Sequence, residues 1–266
     1  MLTLVDSTTG TVVGRAEGED VVLDVATTGA GPTLLMLHGA EGREADTAFV
    51  DALAGRFTVV APSHPGFGLS PRPDWCDTVE DLAYLYLDWI ERQDLRDVVL
   101  VGLQFGGWLA AEMAVRDCSR LGRLVLVDPV GIKVGGREDR DIVDVFAIPR
   151  GELDARNYAD PAAGPGDLTL ASVEDTEHIA RNEEALALYG WEPYLHNPRL
   201  RRWLPRIHVP TLVAWGAHDG IVSPGYGRAY ADAIPGARFE IVDGAGHRAQ
   251  VEQPATLAAL VADHTV

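Results

Sequence analysis

Cysteine is nearly absent. Cys76 and Cys118 are the two in 266 residues, too few for the disulfide framework that small secreted domains use to support a thin core. Basic residues are also scarce, 22 against 40 acidic, for a net charge of −18. That balance argues against nucleic acid and anionic membrane surfaces as partners, since both are polyanions. No apolar run approaches the roughly 20 residues needed to cross a bilayer. The opening Met1-Leu2-Thr3-Leu4-Val5-Asp6 has neither the basic start nor the long apolar stretch of a secretory leader. The chain shows no His-Glu-x-x-His, Cys-x-x-Cys or phosphate-binding glycine loop, so no metal and no nucleotide cofactor is expected. No solenoid-type repeat is visible. The expectation is a cytoplasmic protein with a small-molecule substrate, no cofactor, no nucleic-acid partner and no membrane partner. A homodimer is left open as its assembly state.

What is present is an alternation. The length suits one large α/β domain with room for an insertion. The first 30 residues read as short β-like runs, residues 10–18 and 20–27, an antiparallel start. Continuous apolar runs follow: Thr33-Leu34-Leu35-Met36-Leu37, Val59-Val60-Ala61, Val98-Val99-Leu100-Val101, Leu124-Val125-Leu126-Val127, Thr211-Leu212-Val213-Ala214-Trp215 and Phe239-Glu240-Ile241-Val242. Runs of this kind suit strands covered on both faces. Helical patterns lie between them, at 78–92 with Asp77 or Thr78 as N-cap, at 105–115, and at 254–262 with proline near the start. The fold class expected is α/β, with a mostly parallel, doubly wound sheet. From 131 to 208 no strand-like run recurs. The gap is too long for a simple crossover, and it carries the aromatics Phe146, Tyr189, Trp191, Tyr194 and Trp203. It is read as an inserted helical cap, leaving 1–130 and 209–266 as the core.

The most informative segment is Val101-Gly102-Leu103-Gln104-Phe105-Gly106-Gly107. Glycines at 102 and 106 frame a strand–turn–helix elbow of the Gly-x-Ser-x-Gly kind, which normally presents a nucleophilic serine. Here the central residue is Gln104. A primary amide has its nitrogen lone pair delocalised and no acidic O–H, so it cannot form an acyl-enzyme.

Further motifs stand in register with this elbow, each where a strand ends: His38-Gly39-Ala40-Glu41-Gly42, Ala61-Pro62-Ser63-His64-Pro65-Gly66-Phe67-Gly68-Leu69-Ser70, Trp215-Gly216-Ala217-His218-Asp219 and Gly244-Ala245-Gly246-His247. In this order the chain resembles the α/β-hydrolase superfamily over nearly its whole length. The resemblance implies the α/β-hydrolase fold and assigns roles. The backbone N–H groups of Ala40 and Phe105 form an oxyanion hole. His247 is the general base, and Asp219 orients it and stabilises its imidazolium. Asp128, at the end of the preceding strand, is the alternative acid. His38, Glu41, Trp191 and Tyr194 are candidates for the substrate pocket, with His196 beside them. Ser223 is a weak substitute nucleophile, since it has no elbow.

With the serine replaced, three functions remain open. One is hydrolysis of a small, largely apolar ester, lactone or C–C bond by a water activated at His247, with Gln104 holding that water or the carbonyl. Another is lyase, isomerase or cyclase chemistry using the same His–Asp pair. The third is a catalytically silent ligand-binding relative.

Overall fold

The fold was analysed in a computed structural model, which describes residues 11–16, 19–166 and 168–265. The antiparallel start is a two-stranded ribbon, β1 (Thr11–Ala16) against β2 (Glu19–Leu23). The ends of the first expected run at 10 and 17–18 lie outside the described residues. The remaining elements follow in chain order: β3 (Val25–Thr28), β4 (Thr33–Leu37), α1 (Thr47–Ala54), β5 (Thr58–Pro62), α2 (Val79–Arg92), β6 (Val98–Leu103), α3 (Phe105–Arg116) and β7 (Leu121–Val127). After β7 come α4 (Arg150–Asn157), α5 (Val173–Gly190) and α6 (Leu200–Trp203), then β8 (Thr211–Gly216), α7 (Pro224–Asp232), β9 (Arg238–Val242), α8 (Ala249–Glu252) and α9 (Pro254–His264).

Seven strands form one sheet in the order β3-β5-β4-β6-β7-β8-β9, with β3 antiparallel to β5 and all other pairs parallel. The apolar runs explain this arrangement. Alternate residues of each strand feed opposite faces. Leu35, Leu37 and Leu100 join the cluster containing Leu82, Tyr86 and Leu109, from α2 and α3. Leu34, Met36, Val99 and Val101 join the cluster containing Phe49, Leu53, Leu257 and Val261, from α1 and α9. A strand buried on both faces has no polar position to offer, which is why the runs read as continuous.

Local signals fix the helix starts. The Thr78 side chain accepts from the Asp81 N–H while the Asp81 carboxylate accepts from the Thr78 N–H, a capping box at α2. Ser172 and Asp175 do the same at α5. Ser223 caps α7 by accepting from the Tyr226 N–H, with Pro224 in the first turn. That gives Ser223 a structural task away from any elbow.

The strand order places the site. The chain leaves β4 for β5 on one side, then returns to lay β6 on the other. This reversal opens a crevice at the carboxyl ends of β4 and β6. Leu37 and Gly102 are in register across that pair, so the loops that follow them are neighbours. Among the described residues no strand lies between β7 and β8, only helices and two isolated bridges. Among the same residues, no helix is long and apolar enough to cross a membrane.

Candidate active site

β6 ends at Leu103 and α3 begins at Phe105, so Gln104 alone makes the turn. It does so at φ 46° and ψ −105°, a left-handed conformation that costs a non-glycine residue on the order of 1–3 kcal/mol. The glycines permit the turn. A Cβ at Gly106 would lie 2.2 Å from the Leu37 carbonyl oxygen, and one at Gly102 would lie 2.4 Å from the Gly106 oxygen. The Gln104 N–H donates to Val127 O at 2.9 Å, and its carbonyl accepts from Gly107, Trp108 and Val130.

The side chain of Gln104 is tied down as firmly as its backbone. Nε2 donates to the backbone carbonyl of His247 at 2.9 Å and to Gln250 Oε1 at 3.0 Å. Gln250 Nε2 returns a bond to Gln104 Oε1 at 3.3 Å and donates to Asp46 Oδ1 at 3.0 Å. Both amide hydrogens of Gln104 are therefore used, and only one lone pair on Oε1 remains. The amide lies against Gly39, where a Cβ would be 2.3 Å from Oε1. The elbow residue thus holds the His247 loop through hydrogen bonds and packs against the loop after β4.

His247 and Asp219 meet as expected. Nδ1 of His247 is 2.8 Å from Asp219 Oδ2, with both side chains buried. The other oxygen of Asp219 accepts from the Ile221 and Val222 N–H groups, each at 2.8 Å. An acceptor at Nδ1 places the imidazole proton there and leaves Nε2 as the basic nitrogen. The histidine loop is itself anchored, since the Gly246 N–H donates to Glu252 Oε2 at 2.6 Å and the Arg248 N–H donates to Asn157 O.

Asp128 stands behind this pair. It is fully buried, at φ 46°, and its Oδ1 accepts from the Gly216 N–H at 2.7 Å. Burial, reinforced by the nearby Asp219 charge, holds its carboxyl well above the ordinary range. Asp128 braces the β8 loop through its bond to Gly216, and its Oδ2 has no hydrogen-bond partner among the described residues.

The loop after β4 is supported by two histidines whose rings lie close and tilted. His38 and His64 have ring centroids 3.9 Å apart. His38 Nδ1 bonds Gly39 O at 2.7 Å, and its Nε2 accepts from the His64 N–H at 3.0 Å. Burial pushes His38 down to about 4 and holds His64 well below the ordinary value, so both are neutral at pH 7. His38 is sealed from solvent and takes no part in the cavity wall.

Ala40, Glu41, Gln104, Phe105 and His247 converge on one cavity of about 320 Å³, at the small end of ligand-binding sizes. Its apolar walls come largely from the segment between β7 and β8, with Phe146, Ile148, Leu153, Ile179 and Leu186. Trp191 and Tyr194 are not brought here. They line a separate cavity with His196, Lys133 and Arg140, and both rings pack against Phe146 from behind. The aromatic signal in the sequence identified an outer face of the segment between β7 and β8, one layer removed from the Gln104 cavity, where Trp191 stays largely exposed. Tyr194 is held there by accepting from the Val145 N–H and donating to Val143 O.

Several residues of the site carry no motif. Gln250 and Asp46 complete the Gln104 network. Asn182, on α5, donates to the Glu41 carbonyl and accepts from the Gly68 N–H, tying the segment between β7 and β8 to two loops of the sheet. Arg248 is almost wholly buried, with Nη1 2.6 Å from Glu41 Oε2 and Nη2 3.6 Å from Asp46 Oδ1. The one available sequence signal was adjacency, since Arg248 follows His247 directly.

Comparison with known proteins accords with this geometry. A model of the alpha/beta hydrolase fold family matches residues 32–254. The chain is 30% identical, over 88% of its length and 87% of the relative's, to a 2-hydroxymuconate semialdehyde hydrolase of a Pseudomonas strain. Its structure is similar to a meta-cleavage product hydrolase from Pseudomonas fluorescens, with a TM-score of 0.77, 19% identity and coverage of 97% and 96% of the two chains. It is also similar to a thermophilic esterase from Thermogutta terrifontis, with a TM-score of 0.69, 25% identity and coverage of 95% and 96%. With its parallel sheet, its elbow and its histidine loop in the family's order, the chain belongs to the alpha/beta hydrolase fold family.

Proposed function

We propose that this protein is a hydrolase-like enzyme for a small, largely apolar carbonyl compound, an ester, a lactone or a C–C bond beside a carbonyl, and that it works without an acyl-enzyme. The observation that carries this reading is the buried His247–Asp219 pair at 2.8 Å, beside a cavity whose nucleophile position is an amide. In this reading Nε2 of His247 takes a proton from a water, and Asp219 stabilises the imidazolium that forms. The Ala40 and Phe105 N–H groups receive the developing oxyanion. The proton then returns from the imidazolium to the leaving group.

Gln104 has a narrower role here than residue type alone suggests. Its donors are engaged by His247 O and Gln250, so it has nothing to give a carbonyl. The remaining lone pair of Oε1 accepts one hydrogen of the attacking water. Ester and C–C chemistry both suit a family whose relatives include a 2-hydroxymuconate semialdehyde hydrolase and an esterase.

The test is turnover of an ester, lactone and vinylogous diketone panel in H₂¹⁸O by wild type and by His247→Gln. General-base catalysis is worth about 10² to 10⁴ in rate, so the variant should lose at least a hundredfold. The acid product should carry one solvent oxygen. Carbonyl products without solvent oxygen would replace hydrolysis with lyase or isomerase chemistry. Equal rates in the two proteins would remove His247 from the reaction.

A further inference from the structure

Glu41 has a carboxylate on the cavity wall beside His247, and the reaction above gives it no task. Its position is set from both ends. Asn182 Nδ2 donates to its backbone carbonyl at 2.9 Å, and Arg248 Nη1 lies 2.6 Å from its Oε2. The side chain keeps about a third of its surface exposed. Its carboxylate lines the cavity beside Gln104 and His247. Arg248 is 2% exposed, so the guanidinium is closed to any ligand while the carboxylate is open to one.

The charge count at this wall does not close. One guanidinium serves two carboxylates, Glu41 and Asp46, which leaves one negative charge over. Burial alone would push the Glu41 carboxyl up, but Arg248, with His247 behind it, more than offsets that and holds it below the ordinary carboxylate value. Arg150, the cavity's arginine, also draws the Glu41 carboxyl down, but more weakly than Arg248. Arg150 is engaged by Asp154 at 3.0 Å and Glu183 at 3.4 Å. Glu41 is thus an ionised carboxylate on a mostly apolar cavity wall, and its nearest cation is shared with a second carboxylate.

The geometry points to Glu41 as the recognition group for a protonated amine on the substrate, placed close to the reacting carbonyl. This rests on reading the Gln104 cavity as the reaction site, and it refines the substrate class to amine-bearing apolar carbonyl compounds. The adjacent Ala40 N–H and the His247 imidazole bound the same part of the cavity, so an ammonium on Glu41 fixes the orientation of the carbonyl.

Binding tests this independently of turnover. Benzylamine, benzyl alcohol and benzoate share one ring and differ in the polar head. Calorimetric titration at pH 7.5 should rank benzylamine at least tenfold tighter than benzyl alcohol, with benzoate weakest. In Glu41→Gln the amine preference should fall at least fivefold, with benzyl alcohol affinity within twofold of wild type. Glu183→Gln should keep the preference. The proposal is overturned if wild type does not prefer the amine, if Glu41→Gln retains the preference, or if Glu183→Gln abolishes it. Should Glu41→Gln fail to fold, the wild-type ranking and the Glu183→Gln result still decide. An inert enzyme that ranks the probes as stated would sink the hydrolytic reading and leave this one standing.

Discussion

Replacing Gln104 by leucine keeps the bulk of the elbow residue and removes its amide. Both residues are L-amino acids held at φ 46°, so the backbone strain is common to the two proteins and cancels. What remains is the hydrogen-bond loss. The His247 carbonyl loses its 2.9 Å donor, and Gln250 Oε1 loses its 3.0 Å donor. Gln250 Nε2 keeps Asp46 but loses its longer bond to Gln104 Oε1. Each buried polar group left unpaired costs about 1–3 kcal/mol. Two such groups give about 4 kcal/mol as a central value, and at about 2–4 °C per kcal/mol for a chain of this size the melting midpoint should fall by about 8–16 °C. Urea unfolding followed by circular dichroism measures the loss. The double variant with Gln250→Leu should be less destabilised than the sum of the singles by about 1–2 kcal/mol, the usual range for residues in one network. A single-variant cost and a coupling both below about 0.5 kcal/mol would refute the reciprocal amide pair.

Two further outcomes follow from the same network. Burial pushes Asp46 up to about 6, with Arg248 only partly offsetting it. Its folded value lies above its unfolded one, so its charge destabilises the protein above pH 6, and that penalty disappears as pH falls through 6 toward 4. Asp46→Asn should therefore be more stable than wild type by about 3 kcal/mol at pH 7.5, with the gap closing near pH 4, as read from urea midpoints at both values. His38, pushed down to about 4, acts in the opposite direction over much the same window, so the comparison is made against wild type at each pH. Gln104→Ser should acquire fluorophosphonate labelling at residue 104 that wild type lacks, because His247 and Asp219 are already in place; an unlabelled serine variant that folds would show the base is misplaced for that route.

The sheet was legible because its central strands, such as β4, β6 and β8, are buried on both faces. Each apolar run fell on a strand, and the motif glycines marked where those strands end. The His247–Asp219 pair was legible for the same reason, as both residues sit on loops fixed by strand ends. The Gln104 network was not. Gln250 and Asp46 carry no motif, and 204 residues separate them. Their meeting is set by α8 packing near the short helical turn before α1, which no local pattern encodes. Aromatic content pointed to the insertion but not to its inner face. Trp191 and Tyr194 pack behind Phe146, while the cavity wall is built from Phe146 and ordinary aliphatic residues such as Ile148, Leu153 and Ile179. Helix α1 also escaped notice, because its eight residues bury only Phe49 and Leu53, too short a stripe to show a period.

Loss of the covalent route costs an unrelated serine hydrolase about 10⁶ in turnover, or about 8 kcal/mol of transition-state stabilisation. Whether this protein dispenses with that route is its central question, and rapid-quench intact mass spectrometry during turnover of a responsive ester or lactone answers it. Attack by a water activated at His247 leaves wild-type protein of unchanged mass at every time point while product accumulates, and His247→Gln should lose product formation. A transient increment equal to the acyl group on the wild-type chain would contradict it.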